Sequence, residues 1–242
     1  MPELVDPGLA ELTIKWKSAP ADVRLTRRSD LLTLADLVKT AYSCASAVVP
    51  ALDIPFATGR DLEVALDLTR DLGAVLADAR ARARIHSRAI DRALGNNCDR
   101  TLDRALDLAI ANSRDLAEGL TRARVLGFGG FDNGIEFDPV SITDRARLLE
   151  RGRGLANSLA RELGTACTNL ADAASDFTGV NITVADATDI DLAWLRWDDN
   201  TQWPNREWAD RMRRASVEHP PGSGTYIVLP LTDRDPAESA LV

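Results

Sequence analysis

The chain has 242 residues, 45% of them hydrophobic, which is enough for one large or two small packed domains, and its net charge of -8 opposes wholesale binding to nucleic acid. Three cysteines, Cys44, Cys98 and Cys167, stand too far apart for a disulfide framework or a zinc cluster, which points to a reducing cytoplasm. The segment Met1 to Asp6 lacks the basic and apolar regions of a secretion signal, and no run of 18 apolar residues occurs, so neither export nor a membrane span is expected.

Residues 1–28 carry Pro2, Pro7 and Pro20 around one short apolar patch, Leu9 to Trp16, and read as an N-terminal arm with one turn or strand. Ser29 offers an N-cap to a first helix over about 30–48, whose stripe is Leu31, Leu34, Leu37 or Val38, Ala41 and Ala45, with Pro50 as its stop. Asp53-Ile54-Pro55-Phe56 is a connector and Thr58 a cap for the next helix. From Leu62 that helix keeps its period through Leu66, Thr69, Leu72, Leu76, Ala79, Ala83, His86, Ile90 and Leu94, with acids early and Arg84, Arg88 and Arg92 late, as the helix dipole favours. Gly95-Asn96-Asn97 reads as a turn into a third helix with the stripe Leu102, Leu106, Ala109, Ser113, Leu116 and Leu120. A hairpin centred there sets Leu76 by Leu116 and Ala83 by Ala109, and brings Arg84, Arg88 and Arg92 to Asp107, Asp103 and Asp99; one unbroken helix is the rival. The glycine-rich run Gly127 to Gly134 ends the third helix, and Ser141 or Thr143 caps a fourth with the stripe Leu148, Leu155, Leu159, Leu163, Ala166 and Leu170. Short joins between four amphipathic helices make the expected fold mainly α, an antiparallel four-helix bundle over 29–173.

Beyond Ala174 the period changes. Phe177, Ile182, Ala187, Leu192 and Trp197 recur every five positions, preceded by Asp176, Asn181, Asp186, Asp191 and Arg196, and five fits neither helix nor strand. The run Ser175 to Trp194 resembles the pentapeptide-repeat family, with its Ala-(Asp/Asn)-Leu-X-X consensus. The resemblance implies a right-handed β-helix whose four-repeat coil turns the central apolar residue inward. Leu195-Arg196-Trp197, Trp203-Pro204, Trp208 and Pro221 to Tyr226 look like the Trp-rich cap that follows such repeats in actinobacterial proteins, some of them attached to NACHT-type NTPases. Residues 174–229 are therefore expected to form a small repeat-like coil and cap. Phe177, Ile182, Leu192 and Trp197 should point inward and the acids outward, with a short helix at about 205–215, a strand at about 225–229, and packing on the fourth helix or on the short one. Residues 230–242 read as a flexible acidic tail.

Few residues suggest chemistry. His86 lies on an apolar stripe without a second ligand at metal spacing and reads as a packed or hydrogen-bonded histidine, while His219 precedes two prolines in a loop. The glycine run lacks the Lys-Ser or Lys-Thr of a phosphate loop, and its Phe128 and Phe131 are either a plug folded back on the helices or a contact for a partner. Four of five tryptophans, Trp194, Trp197, Trp203 and Trp208, crowd the C-terminal part, as a small core or as a docking face. No catalytic, cofactor or metal residues are assigned. The favoured reading is a non-enzymatic interaction or regulatory protein with a protein partner. The alternatives are a nucleic-acid-related role, as an acidic DNA mimic or as a phosphate binder through Arg80 to Arg92, and an enzyme with a site of Asp, Arg and Trp inside the bundle.

Overall fold

The computed structural model describes residues 7–52, 59–94, 98–128, 139–183 and 190–230. Among these are seven helices and three short strands: α1 (Pro7–Ser18), α2 (Ala21–Thr26), α3 (Arg28–Leu52), α4 (Gly59–Leu94), α5 (Cys98–Phe128), α6 (Pro139–Ser175), β1 (Arg196–Asp198), α7 (Arg206–Arg214), β2 (Ser216–Glu218) and β3 (Thr225–Val228). The protein is mostly helical, with a small antiparallel sheet in the order β1-β3-β2.

The long helices follow from their stripes. Each of α3 and α5 packs on both α4 and α6, so every long helix has two long neighbours. Leu31, Leu34, Ala41 and Ala45 of α3 join Leu72, Leu76, Ala83, Leu106, Leu159, Leu163 and Leu170 in one buried cluster. Val48 and Leu52 meet Leu62, Leu66, Leu116 and Leu120 in a second. That second cluster explains why α3 runs past Pro50, the expected stop. The proline removes one hydrogen bond near the helix end, but burial of Val48 and Leu52 holds the last turn, and Arg153 Nη2 donates to the terminal carbonyl of Leu52 at 3.0 Å. At its other end α3 begins at Arg28, one residue ahead of the expected Ser29 cap. By length and composition α3 could cross a bilayer, yet Leu31, Leu34, Val38, Ala41 and Ala45 are buried against the neighbouring helices. Where α3 meets α6 the helices approach closely. A Cβ on Gly164 would stand 3.1 Å from the Tyr42 ring, so a side chain there would push the ring aside by a few tenths of an ångström. α6 starts at Pro139, not after Ser141 or Thr143, because proline suits a first helical turn, whose N–H groups have no partner within the helix.

α4 and α5 are separate helices that pack together, not one unbroken rod. Their register differs from the expected one by a turn. Arg80 pairs with Asp107 at 2.8 Å and Glu63 with Arg124 at 3.0 Å, whereas the turn-centred alignment set Arg84 at Asp107. Apolar stripes nearly repeat at each turn, so they do not distinguish these registers by themselves. The turn Gly95-Asn96-Asn97 and the side chains of Asp99 and Asp103 lie outside the described residues. So do the connector 53–56, Thr58, the glycine run from Gly129 with Phe131, the Phe128 side chain, Asp186, Ala187 and the tail from 231.

The N-terminal segment is the largest departure. In place of an arm, residues 7–26 form α1 and α2, and α1 packs on α5 and α6. Trp16 is fully buried and its Nε1 donates to Ala173 O at 3.0 Å. Sequence period gave no hint of this because the partners lie about 150 residues away.

Candidate functional site

The C-terminal part begins where α6 ends, and α6 ends in an unusual way. A helix leaves its last carbonyls unpaired and partially negative. Here side chains from the N-terminal segment take them up. Trp16 binds Ala173 O, Arg28 Nε binds Ala174 O at 3.1 Å, and Arg24 binds Asp176 O just past the helix. Arg28 also donates from Nη1 to Asp191 O and from Nη2 to Ala193 O, both at 2.6 Å. The Arg24 guanidinium lies 4.5 Å over the Phe177 ring, and Lys17 pairs with Asp176 at 3.0 Å. Arg24 and Arg28 are only 4% and 2% exposed, and burial lowers both pKa values against the opposing pull of Asp176 and Asp191. Two buried cations thus tie helix α6, the five-residue-period segment and the N-terminus into one seam.

Past the seam three Asp and Asn residues of the five-residue pattern make local turns. Asp176 Oδ1 accepts from the N–H and hydroxyl of Thr178, Asn181 Oδ1 from those of Thr183, and Asp191 Oδ1 from Ala193 N. An Asp or Asn side chain that bonds the backbone two residues on mimics a backbone turn, which is a physical reason for its return every five residues. Burial pushes the Asp176 carboxyl up, but the bonds from Thr178 and Lys17 outweigh it and hold it below the ordinary carboxylate range. Asp198 follows the same balance: burial raises it, and bonds from Gly179 N, Thr201, and Asn200 bring it below that range.

Phe177 and Ile182 are fully buried in a third apolar cluster with Leu25, Leu195, Trp197, Trp203, Met212, Ala215 and Val228, against which Leu192 packs. Packing on the fourth helix or on α7 was expected, and Met212 of α7 is in the cluster. The contribution of Leu25 from α2 was not expected. α7 and β3 lie close to the expected short helix and strand, and β1 and β2 are additions that complete the sheet.

The four tryptophans separate. Trp197 is buried, donates Nε1 to Ser216 Oγ at 2.9 Å, stacks on Tyr226 at 4.7 Å and meets Trp203 edge-on at 5.6 Å. Trp203 is 7% exposed, and its Nε1 is buried with no acceptor among the described residues. Trp208 is half-buried on α7, with the Arg211 guanidinium 5.0 Å over its ring. A docking face therefore cannot include Trp197 or Trp203. Trp194 is 56% exposed.

The backbone of Trp194 is the oddity of this region. The Leu195 N–H bonds Leu192 O at 3.0 Å, closing a turn in which Trp194 has a φ of 65°. Left-handed backbone is costly for a bulky residue, by about 1–2 kcal/mol, and this turn position favours glycine. Three repeats earlier the chain does use glycine. Phe177 to Val180 closes the same turn, with Gly179 at a φ of 66°. Trp194 is held in place from both sides: its N–H donates to Val228 O at 2.7 Å, and Arg28 and Asp191 fix Ala193 before it. Beside it the sheet register aligns Arg196, Ile227 and Val217 on one face, and Val217 is 47% exposed.

His86 makes a 2.6 Å hydrogen bond from Nδ1 to Asp30 across α3 and α4, as a bonded helix-face histidine does. Among the described residues no three His, Cys, Asp or Glu side chains converge to hold a metal ion. Compared with known proteins, the chain matches no family model, no curated sequence and no solved structure.

Proposed function

We infer that this chain is a non-enzymatic interaction protein, with helices α3 to α6 as an antiparallel four-helix scaffold and a partner-binding surface centred on Trp194. One observation carries the reading. At the turn position where Gly179 serves three repeats earlier, the chain places a large, exposed aromatic residue in left-handed backbone, and a buried arginine holds the residue before it. Strain held in place by surrounding bonds, on a residue type that anchors interfaces, supports selection for contact over stability. The free thiols Cys44 and Cys167 suit the cytoplasm as the place of work.

The same segment is proposed to be a single pentapeptide-like coil. What supports this is the parallel pairing of Asp176 with Arg196, four repeats on, and of Asn181 with Gln202, together with the Asp and Asn turns between them.

The test compares the full chain and its Trp194→Gly variant as baits in affinity capture from the native host, alongside their thermal unfolding. Glycine relieves the backbone, so the variant should melt at or above the wild-type temperature while losing captured proteins. A variant that captures the same set, or that unfolds several degrees lower, makes Trp194 a structural residue and sinks the reading.

A further inference from the structure

The N-terminal segment and the Trp194 turn meet at one side chain. Arg28 donates Nε to Ala174 O in the last turn of α6, and its Nη1 and Nη2 go to Asp191 O and Ala193 O, on the stretch that leads into Trp194. Three more side chains of the segment close on the end of α6: Trp16 on Ala173 O, and Lys17 and Arg24 on Asp176. Leu25 of α2 shares an apolar cluster with Leu195, the residue after Trp194. Backbone bonds cross from α2 into α3 at Arg27, whose N–H bonds Val23 O at 3.0 Å and whose carbonyl accepts from Leu31 N at 3.3 Å. A displacement of α2 therefore reaches Arg28 directly.

We propose that α1 and α2 form a strap that regulates the Trp194 surface: docked on α6, the strap holds the indole in its exposed pose through Arg28, and lifted, it lets the turn relax. Left-handed backbone disfavours a bulky residue, so Trp194 leaves it when the carbonyl before it loses its donor. Docking is opposed as well as favoured. Trp16 and Leu25 bury their side chains, but Arg24 and Arg28 surrender water, and Arg24 Nε is buried with no acceptor among the described residues. By linkage, a partner that needs the docked pose holds the strap down, and a molecule that draws the strap away weakens that partner. The regulatory meaning rests on the partner-binding reading of Trp194, whereas the coupling between strap and turn is a property of this chain alone.

Fluorine NMR of the full chain carrying 5-fluorotryptophan tests it, with the Trp194 signal assigned by its absence from Trp194→Gly. Two variants loosen the strap. Arg28→Lys removes the fork at the turn, while Trp16→Phe keeps an aromatic ring in the core, loses the donor to Ala173 O and leaves Arg28 in place. Both should shift or split the Trp194 signal while those of Trp197 and Trp203 stay where they are in the wild type. In urea unfolding, the gain in folding constant from Trp194→Gly should be at least about twofold smaller in either background than in the wild type, because the strain it relieves is already gone. If Arg28→Lys does not fold, Trp16→Phe decides alone. A Trp194 signal that Trp16→Phe leaves unmoved overturns the proposal, as does additivity in the cycle, which would mean that the bond to Val228 O holds the turn without the strap. Signals of Trp197 and Trp203 that move together with that of Trp194 overturn it too, as general loosening. None of these outcomes touches the capture experiment: a Trp194→Gly bait that retains every partner ends the docking reading even where the coupling is found.

Discussion

The helical part, residues 28–175, and the C-terminal part, residues 176–229, solve the same problem by different means. In α3 to α6 the backbone satisfies itself within each helix, so the sequence has only to place leucines and alanines on a common face. The described C-terminal part has little regular structure, and individual side chains reinforce its backbone turns: Asp176, Asn181, Asp191 and Asp198 each accept a backbone N–H, and Arg24 and Arg28 serve carbonyls. A helix can lose one surface side chain with little consequence. A turn built on one carboxylate cannot. Sensitivity to single substitutions should therefore concentrate in the smaller part, and most of all at the seam.

Arg28→Ala is the severest break of that contrast. It leaves Ala174 O, Asp191 O and Ala193 O without their donor and a cavity beside the end of α6. Each orphaned carbonyl costs about 1–3 kcal/mol when buried, with water entering to recover part, so a loss of at least about 3 kcal/mol is expected in urea unfolding followed by tryptophan fluorescence. Arg28→Lys should recover less than half, since one ammonium does not span three carbonyls in a fork. Stability within about 0.5 kcal/mol of the wild type would show that the seam does not hold the parts together.

The two buried tryptophans sharpen the comparison inside the smaller part. Trp197→Phe removes the bond to Ser216 as well as volume, and should cost about 2 kcal/mol. Trp203→Phe also removes volume, but it deletes a buried donor that has no acceptor among the described residues, so its cost should stay within about 1 kcal/mol. Denaturation of the two variants gives the order directly. The reverse order would mean that Trp203 Nε1 is satisfied in solution.

Acid should separate the two parts. Asp176 and Asp198 have folded pKa values below their ordinary 3.8, so near that pH the unfolded chain binds more protons than the folded one. Their stabilisation is complete above the ordinary value and is lost as pH falls through the lower folded values. Tryptophan fluorescence, which reports chiefly the C-terminal part, should therefore change on acidification below about pH 4 before far-ultraviolet circular dichroism reports loss of helix. Coincident transitions would place the acid-labile groups in the helices instead.

How much of this was readable depends on whether a partner is local. The stripes through Leu31, Leu72, Leu116 and Leu159 carry their own period, and their burial follows from it. The five-residue register placed Trp197 inward at a central position and left Trp194 at a variable one, as found. Two things had no local signal. Arg24 and Arg28 are indistinguishable in sequence from surface arginines, because the carbonyls they serve come from about 150 residues later. The lost exposure of Trp203 depends on a cluster assembled from distant segments, with Leu25, Phe177, Trp197 and Met212 among its members. The left-handed backbone of Trp194 did have a signal, the glycine in the equivalent place three repeats earlier, but it is visible only once the repeats are aligned.

The smallest expected effect decides the register of α4 on α5. A double-mutant cycle on Arg80 and Asp107, each changed to alanine, should give a coupling of about 0.2–1 kcal/mol, since the side chains are 31% and 48% exposed and solvent screens them. The same cycle on Arg84 and Asp107 should give about zero. The apolar stripes alone would accept either alignment, because a slip of one turn again places leucine on leucine. What differs is the fit of small residues: a Cβ on Gly73 would lie 3.8 Å from Ser113 Oγ, so in this register the glycine of α4 faces a small side chain of α5. A slip of one turn would move that contact. Coupling at Arg84 in place of Arg80 would restore the turn-centred register, with Glu63 and Arg124 then drawn out of their pair as well.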